Sequence, residues 1–231
     1  MNTATLFPDR NLTTAGFGYL LFQLLVLPVL LSWFNSLLDL GLDVSRLNLL
    51  LYTVNFAALV GIFRKFLAES LRGAVKNLST VLVAAGVGFL AYRFSSTIVG
   101  IVTFHFVPDF QNVNDANIAS MAQGDFTKWA FATVVLVPPA EELLFRGTLF
   151  GGLYNRSKIL AWVLSVVSFA LIHTVGYVGY YPWDLLLICT LQYLPAGICF
   201  AAAYRYCGNI FAPILIHTAV NALGILTMPL L

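Results

Sequence analysis

The sequence predicts an all-α, polytopic membrane protein, and three observations predict it. Apolar residues make up 60% of the 231 residues and charged residues only 10%, against roughly 45–50% and about 25% in soluble domains. Mean hydropathy is +0.88. The apolar residues also fall in runs long enough to cross a hydrocarbon core of about 30 Å as helix. A soluble chain of this size could not hide so much apolar surface from water. A soluble enzyme, a nucleic-acid binder and a disordered regulator are therefore excluded. The net charge of +2 is too mild for a polyanionic partner.

Taken in order, the runs lie at 14–37, 46–63, 77–106, 127–150, 159–178, 184–204 and 208–228. Seven spans is the expected count, with eight as the alternative. The first run follows Asp9 and Arg10, is too long for a signal-peptide core and has no small-residue cleavage site. It is expected to stay as an uncleaved anchor. The third run is too long for one straight span, and Arg93, Ser95 and Ser96 predict a strong tilt or a break there. Between the second and third runs, Leu67, Leu71 and Val75 recur one turn apart among Arg64, Lys65, Arg72 and Lys76. This segment reads as an amphipathic helix on the membrane surface. Cys189, Cys199 and Cys207 have neither disulfide nor metal spacing and read as small packing residues.

Basic residues choose the orientation. Arg10, Arg64, Lys65, Arg72, Lys76, Arg156, Lys158 and Arg205 share one side of a seven-span arrangement, and Arg46 and Lys128 alone fall on the other. The positive-inside rule places the first set, and the N-terminus, in the cytoplasm.

Ionisable residues inside spans are expensive and mark functional sites by default. The candidates are Arg93, Glu141, Glu142, Arg146, His173 and His217; His105 falls at the outer end of its span, and Arg93 reads as structural. The other five crowd into one half of the chain. In the fourth run, Pro138 and Pro139 suit a helix start or a kink. Glu142 and Arg146 are spaced i, i+4, on one helix face, for an ion pair. Glu141 is rotated about 100° from Glu142 and is left unpaired, a carboxylate fit for proton exchange. A lone His173 in an apolar run is more often a core residue. His217 and Asn221 are again i, i+4, so one face offers two hydrogen-bonding side chains at a common point. Together these are the parts of a hydrolytic site, with a general base for water and stabilisers for a developing oxyanion. Gln23, Asn55 and Gln192 read as inter-helix hydrogen-bond glue.

At these residues the chain resembles the CAAX prenyl protease 2 / bacteriocin-processing (CPBP, Abi) family of intramembrane proteases. Its Glu-Glu-x-x-x-Arg, Phe-x-x-x-His and His-x-x-x-Asn/Asp motifs occur in order as Glu141–Arg146, Phe169–His173 and His217–Asn221. The resemblance covers about residues 127–228. It implies that Glu141 and His173 activate a water that attacks a peptide carbonyl. His217 and Asn221 would stabilise the oxyanion, and Glu142 and Arg146 would organise the motif. The expected division is 1–126, N-terminal transmembrane helices with a cytoplasmic basic loop, and 127–231, a C-terminal catalytic core.

The expected function is therefore an intramembrane endopeptidase, multi-pass in a bacterial cell membrane. Its expected partners are membrane lipids and a membrane-associated peptide or protein, lipidated substrates among them, with no nucleic acid. No cofactor is expected. Glu141, His173 and His217 would suit zinc, but there is no His-Glu-x-x-His motif and Arg146 adds positive charge. Two alternatives keep the same residues: a non-catalytic immunity or membrane binding protein of the same fold, and a proton-coupled transporter. The transporter reading is weakened because no matching broken helices recur in the two halves.

Overall fold

The computed structural model describes residues 7–227, and they are helical nearly throughout. Among them the only β feature is an isolated bridge between Val178 and Tyr181. In chain order the helices are α1 (Arg10–Leu25), α2 (Leu27–Leu37), α3 (Val44–Ile62), α4 (Arg64–Lys76), α5 (Leu78–Phe106) and α6 (Val113–Gly124). There follow α7 (Phe126–Phe131), a π segment (Ala132–Leu136), α8 (Val137–Glu142), a second π segment (Leu143–Gly151) and α9 (Gly152–Tyr154). The fold ends with α10 (Lys158–Ile172), a 3-10 turn (Val175–Tyr177), α11 (Trp183–Cys207) and α12 (Phe211–Thr227).

Local chemistry sets many of these boundaries. Asp9, Asp43, Asn112, Asp125 and Ser157 each cap a helix start with a side-chain oxygen that accepts from a backbone N–H of the first turn, which satisfies donors the helix itself leaves free. Gly208, at φ +66°, ends α11 with its N–H on the Tyr204 carbonyl, 2.8 Å away. That left-handed conformation suits glycine.

The expected first span, 14–37, is two helices bent by 48° at Val26, with Pro28 in the first turn of α2. Proline lacks the N–H that a continuous helix would use. The third run shows no break. The α5 helix runs unbroken for 29 residues, about 44 Å at 1.5 Å per residue, and Ser95 returns its hydroxyl to the Ala91 carbonyl at 2.7 Å. The fifth run stops being α-helical after Ile172 and turns through Gly179 at φ +87°. The last run is described through Thr227, and residue 228 lies outside the described residues.

Among the described residues, three helices could cross a membrane by length and composition, α3, α5 and α11, and four if the bent α1–α2 pair counts as one. The α10 and α12 helices are apolar but have 15 and 17 residues, about 22 and 26 Å. The run 127–150 is divided by the π segments. Short and interrupted helices thus pack around a buried centre beside the long ones.

The principal hydrophobic core draws on both ends of the chain. Leu20, Leu59, Phe63 and Phe66 join Leu143, Phe145, Phe150, Phe169, Phe200 and Ile216 in one buried cluster. The α4 helix docks on it through Phe66, Ser70 and Ala74, and Asn209 donates to the Ser70 carbonyl at 2.7 Å. Leu67 is half-buried, whereas Leu71, Val75 and the four basic residues of α4 are exposed. One face of α4 thus belongs to the protein, and an adjoining face is amphipathic and outward.

Candidate active site

The site is assembled where α8 meets α10, α11 and α12. Because Pro138 and Pro139 supply no N–H, the chain widens before α8 into a π turn, and a second π segment follows it. Such i→i+5 segments are rare and gather at functional sites. Their altered bonding is visible in the Thr148 hydroxyl, which donates to the Leu143 carbonyl at 3.1 Å, and in the Thr133 carbonyl, which accepts from Asn221 Nδ2 at 2.8 Å.

Glu142 and Arg146 form the ion pair that their spacing predicts. Arg146 Nη1 donates to Glu142 Oε1 at 3.0 Å, and both side chains are fully buried. Arg146 Nη2 reaches the carbonyls of Gly197 (3.2 Å) and Ala196 (3.4 Å). The guanidinium carbon lies 4.2 Å from the centre of the Phe169 ring and 5.2 Å from that of Phe200. Two aromatic faces and two carbonyls thus solvate a cation that water does not reach.

Glu141 points away from this pair, as its rotation requires. Its Oε2 lies 4.0 Å from His173 Nε2 and 3.9 Å from His217 Nε2, and this buried oxygen has no hydrogen-bond partner among the described residues. Side-chain exposure is 21% for Glu141, 14% for His173 and 4% for His217. These groups sit in the wall of a cavity.

The imidazoles have defined tautomers. His173 Nδ1 lies 2.8 Å from the Phe169 carbonyl, which can only accept, so neutral His173 carries its proton there. His217 Nδ1 lies 2.9 Å from Glu142 Oε1, the carboxylate already bound to Arg146, so Nδ1 is again the donor. Both Nε2 atoms therefore turn a lone pair toward Glu141. This second partner of Glu142 was not foreseen from sequence. Neutral His217 is an acceptor at Nε2, and it donates toward a developing oxyanion only when doubly protonated.

Glu141, His173, His217 and Asn221 all line one cavity of about 1090 Å³. Helices of the N-terminal half also wall it, with Gln23, Ser45, Asn48, Tyr52 and Asn55. Of the residues read as glue, Asn55 accepts from the Tyr19 hydroxyl at 2.7 Å, and Gln192 accepts from Asn112 Nδ2 at 2.9 Å. Arg93 lines the cavity from the unbroken α5 and has no ion pair among the described residues. His105 packs on Phe106 at the end of α5, apart from the site. Tyr193 stacks on His173 with ring centres 4.0 Å apart and planes at 17°. No sequence motif marks Tyr193. Among the described residues no group of three or more His, Cys, Asp or Glu side chains is arranged to hold a metal ion.

Residues 123–223 match the family profile described as "Type II CAAX prenyl endopeptidase Rce1-like". Three curated relatives are similar. The UPF0177 protein YxdF of Lactococcus lactis subsp. lactis (strain IL1403) is 33% identical over 90 residues, 39% of this chain and 44% of its own length. The UPF0177 protein in the abiGi 5' region of Lactococcus lactis subsp. cremoris is 30% identical over 158 residues, 68% of this chain and 61% of its own. YdiL of Bacillus subtilis (strain 168), a candidate membrane peptidase by its name, is 27% identical over 163 residues, 69% of this chain and 62% of its own. The chain thus spans between 44% and 62% of the length of these relatives. No solved structure matches it. All three motifs fall in order within the segment the profile matches, so over that segment this integral membrane protein is similar to the Rce1-like, type II CAAX prenyl endopeptidase family.

Proposed function

We propose that the protein is a membrane-embedded endopeptidase that hydrolyses a peptide bond with a water activated by Glu141 and His173. One observation carries this reading. An unpartnered carboxylate oxygen of Glu141 lies within 4.0 Å of two imidazole Nε2 atoms on the wall of a large cavity, while its neighbour Glu142 is tied through Oε1 to both Arg146 and His217. Separations of this size suit a water held between the groups better than direct hydrogen bonds.

In this mechanism Glu141 takes a proton from water as the oxygen attacks the scissile carbonyl carbon, with His173 Nε2 accepting from the same water. The carbonyl oxygen becomes an oxyanion and is stabilised by Asn221, which has one amide N–H beyond the bond to Thr133, and by His217 in its doubly protonated form. Glu142 balances that added charge through Nδ1. The proton held by Glu141 then passes to the amide nitrogen as the C–N bond breaks, leaving a carboxylate and an amine. Such positioned acid–base transfers contribute about 10²–10⁴-fold.

The substrate is a membrane-associated peptide or protein, lipidated chains included. No metal takes part in the proposed step. The N-terminus and the basic face of α4 lie on the cytoplasmic side of a bacterial cell membrane, in line with the basic-residue asymmetry. The test is an unbiased comparison of membrane peptides from cells carrying wild-type protein or Glu141→Ala. Peptides that depend on Glu141 are expected; identical peptide sets would overturn the reading.

A further inference from the structure

His173 stands just past the last residue of α10, where the helix gives way to a 3-10 turn. One hydrogen bond, Nδ1 to the Phe169 carbonyl, holds its ring. A single bond at a helix end does not by itself fix the plane of an imidazole, because the terminal ring torsion is broad. The Phe169 ring meets the imidazole at its edge, with centres 5.0 Å apart, and the facing restraint comes from α11, where the Tyr193 ring lies nearly parallel to the imidazole at 4.0 Å.

Tyr193 is itself held at its far end. Its hydroxyl lies 2.9 Å from Asp115 Oδ1 and 3.2 Å from Asn112 Oδ1, and it accepts from Asn114 Nδ2 at 3.0 Å. All three partners come from the start of α6. Asn112 also caps α6 through the N–H of Asn114 and donates to Gln192, the neighbour of Tyr193. The α6 start is thus bound to α11 at the point where α11 meets His173. Tyr193, Tyr92 and Asp115 line both the main cavity and a second pocket of about 170 Å³, so the tyrosine is part of the partition between them.

We propose that Tyr193, pinned by the Asn112–Asn114–Asp115 cluster, is a positioning residue that holds the His173 ring so that Nε2 faces Glu141. The proposal rests on the hydrolytic reading of His173, but the hold on the ring is a separate fact with its own readout. Displacing a catalytic group by about 1 Å can cost on the order of 10²-fold. The effect should fall on turnover, because Tyr193 acts through His173 and not on substrate.

The test uses the full chain in detergent, labelled with ¹⁵N-histidine. The three histidines are assigned by His105→Gln, His173→Gln and His217→Gln. Wild type should show His173 as one tautomer, protonated at Nδ1. Tyr193→Phe keeps the aromatic face but loses the hydroxyl pins and should show partial tautomer mixing, whereas Tyr193→Leu should give the fuller mixture. With a cleavable peptide, Tyr193→Leu should lower kcat by about 10- to 100-fold with KM within about threefold of wild type. An unchanged His173 signature in Tyr193→Leu overturns the proposal, as does a loss confined to KM. If Tyr193→Leu does not fold, Asn114→Ala with Asp115→Ala frees the hydroxyl from the surface side. Tautomer mixing at His173 then supports the proposal, and an unchanged signature overturns it. A wild-type protein that cuts nothing would sink the proposed function, while the spectra would still decide what Tyr193 does.

Discussion

His217 Nδ1 lies 2.9 Å from Glu142 Oε1, while its Nε2 faces Glu141 Oε2 at 3.9 Å. One imidazole therefore joins the two adjacent glutamates of the motif. The ion pair with Arg146 is more than a structural clamp, because Glu142 also sets the tautomer of a residue at the cavity wall. A carboxylate that orients a histidine through Nδ1 is a recurrent way to prepare Nε2 for chemistry.

Glu142→Gln strands the Arg146 guanidinium among Phe169 and Phe200 and weakens the acceptor of His217. Breaking a buried pair on one side costs about 3–5 kcal/mol. Lower folded yield and a lower melting temperature in detergent are expected. Glu142→Gln combined with Arg146→Gln removes both charges and should regain part of that loss. A Glu142→Gln protein that melts like wild type would show that the pair does not stabilise the fold.

Gly197 tests the close approach of α10 and α11. A Cβ there would meet Val166 Cγ1 at 3.0 Å and the Val166 carbonyl oxygen at 3.2 Å. The latter is backbone and cannot swing aside. Gly197→Ala should cost about 1–3 kcal/mol and also disturb the carbonyl that accepts from Arg146. Gly86→Ala, with open space around it, should melt at or above the wild-type temperature, since alanine favours a helix over glycine by about 1 kcal/mol. Equal melting of the two variants would contradict this account of the helix contact.

Much of this site was legible from spacing, and the reasons are local. Glu142 and Arg146 are one helical turn apart, and adjacent residues on a helix diverge, so the opposite aims of Glu141 and Glu142 could be read directly. The convergence of His173 and His217 on Glu141 depends on three separate helices, and there the motif resemblance contributed what spacing could not. The bond from His217 to Glu142, the stack of Tyr193 on His173 and the α6 cluster are contacts between segments about 75 or more residues apart, or between side chains with no periodic signature. The interrupted character of 127–150 was half visible in Pro138 and Pro139. Of the two alternatives for the third run, tilt or break, the unbroken α5 removes the break: Ser95 bonds back to the Ala91 carbonyl of its own helix, which tolerates it without ending.

The proposed orientation rests on the basic residues. Single cysteines introduced at Lys65 and Arg156 should react with a membrane-impermeant reagent only from the cytoplasmic side, and one at Asp109 only from the outside. Labelling of Asp109 and Arg156 positions from the same side would refute the orientation.

Metal dependence is decided by chelation. The proposed water activation uses Glu141 and His173 alone, so purified protein should keep its peptidase activity after exhaustive treatment with a zinc chelator. Loss of activity restored by added zinc would replace that mechanism with one in which Glu141, His173 and His217 serve as ligands.

The most direct test of the central claim is the turnover of purified Glu141→Gln on a peptide found to depend on the wild-type protein, with its melting measured in the same preparation. The substitution keeps size and shape and removes the proton acceptor. Turnover should fall by about 10²-fold or more with melting unchanged, because Glu141 stands outside the buried Glu142–Arg146 pair. Wild-type turnover in Glu141→Gln would contradict the claim, and so would a protein that unfolds while Glu142→Gln stays folded and inactive.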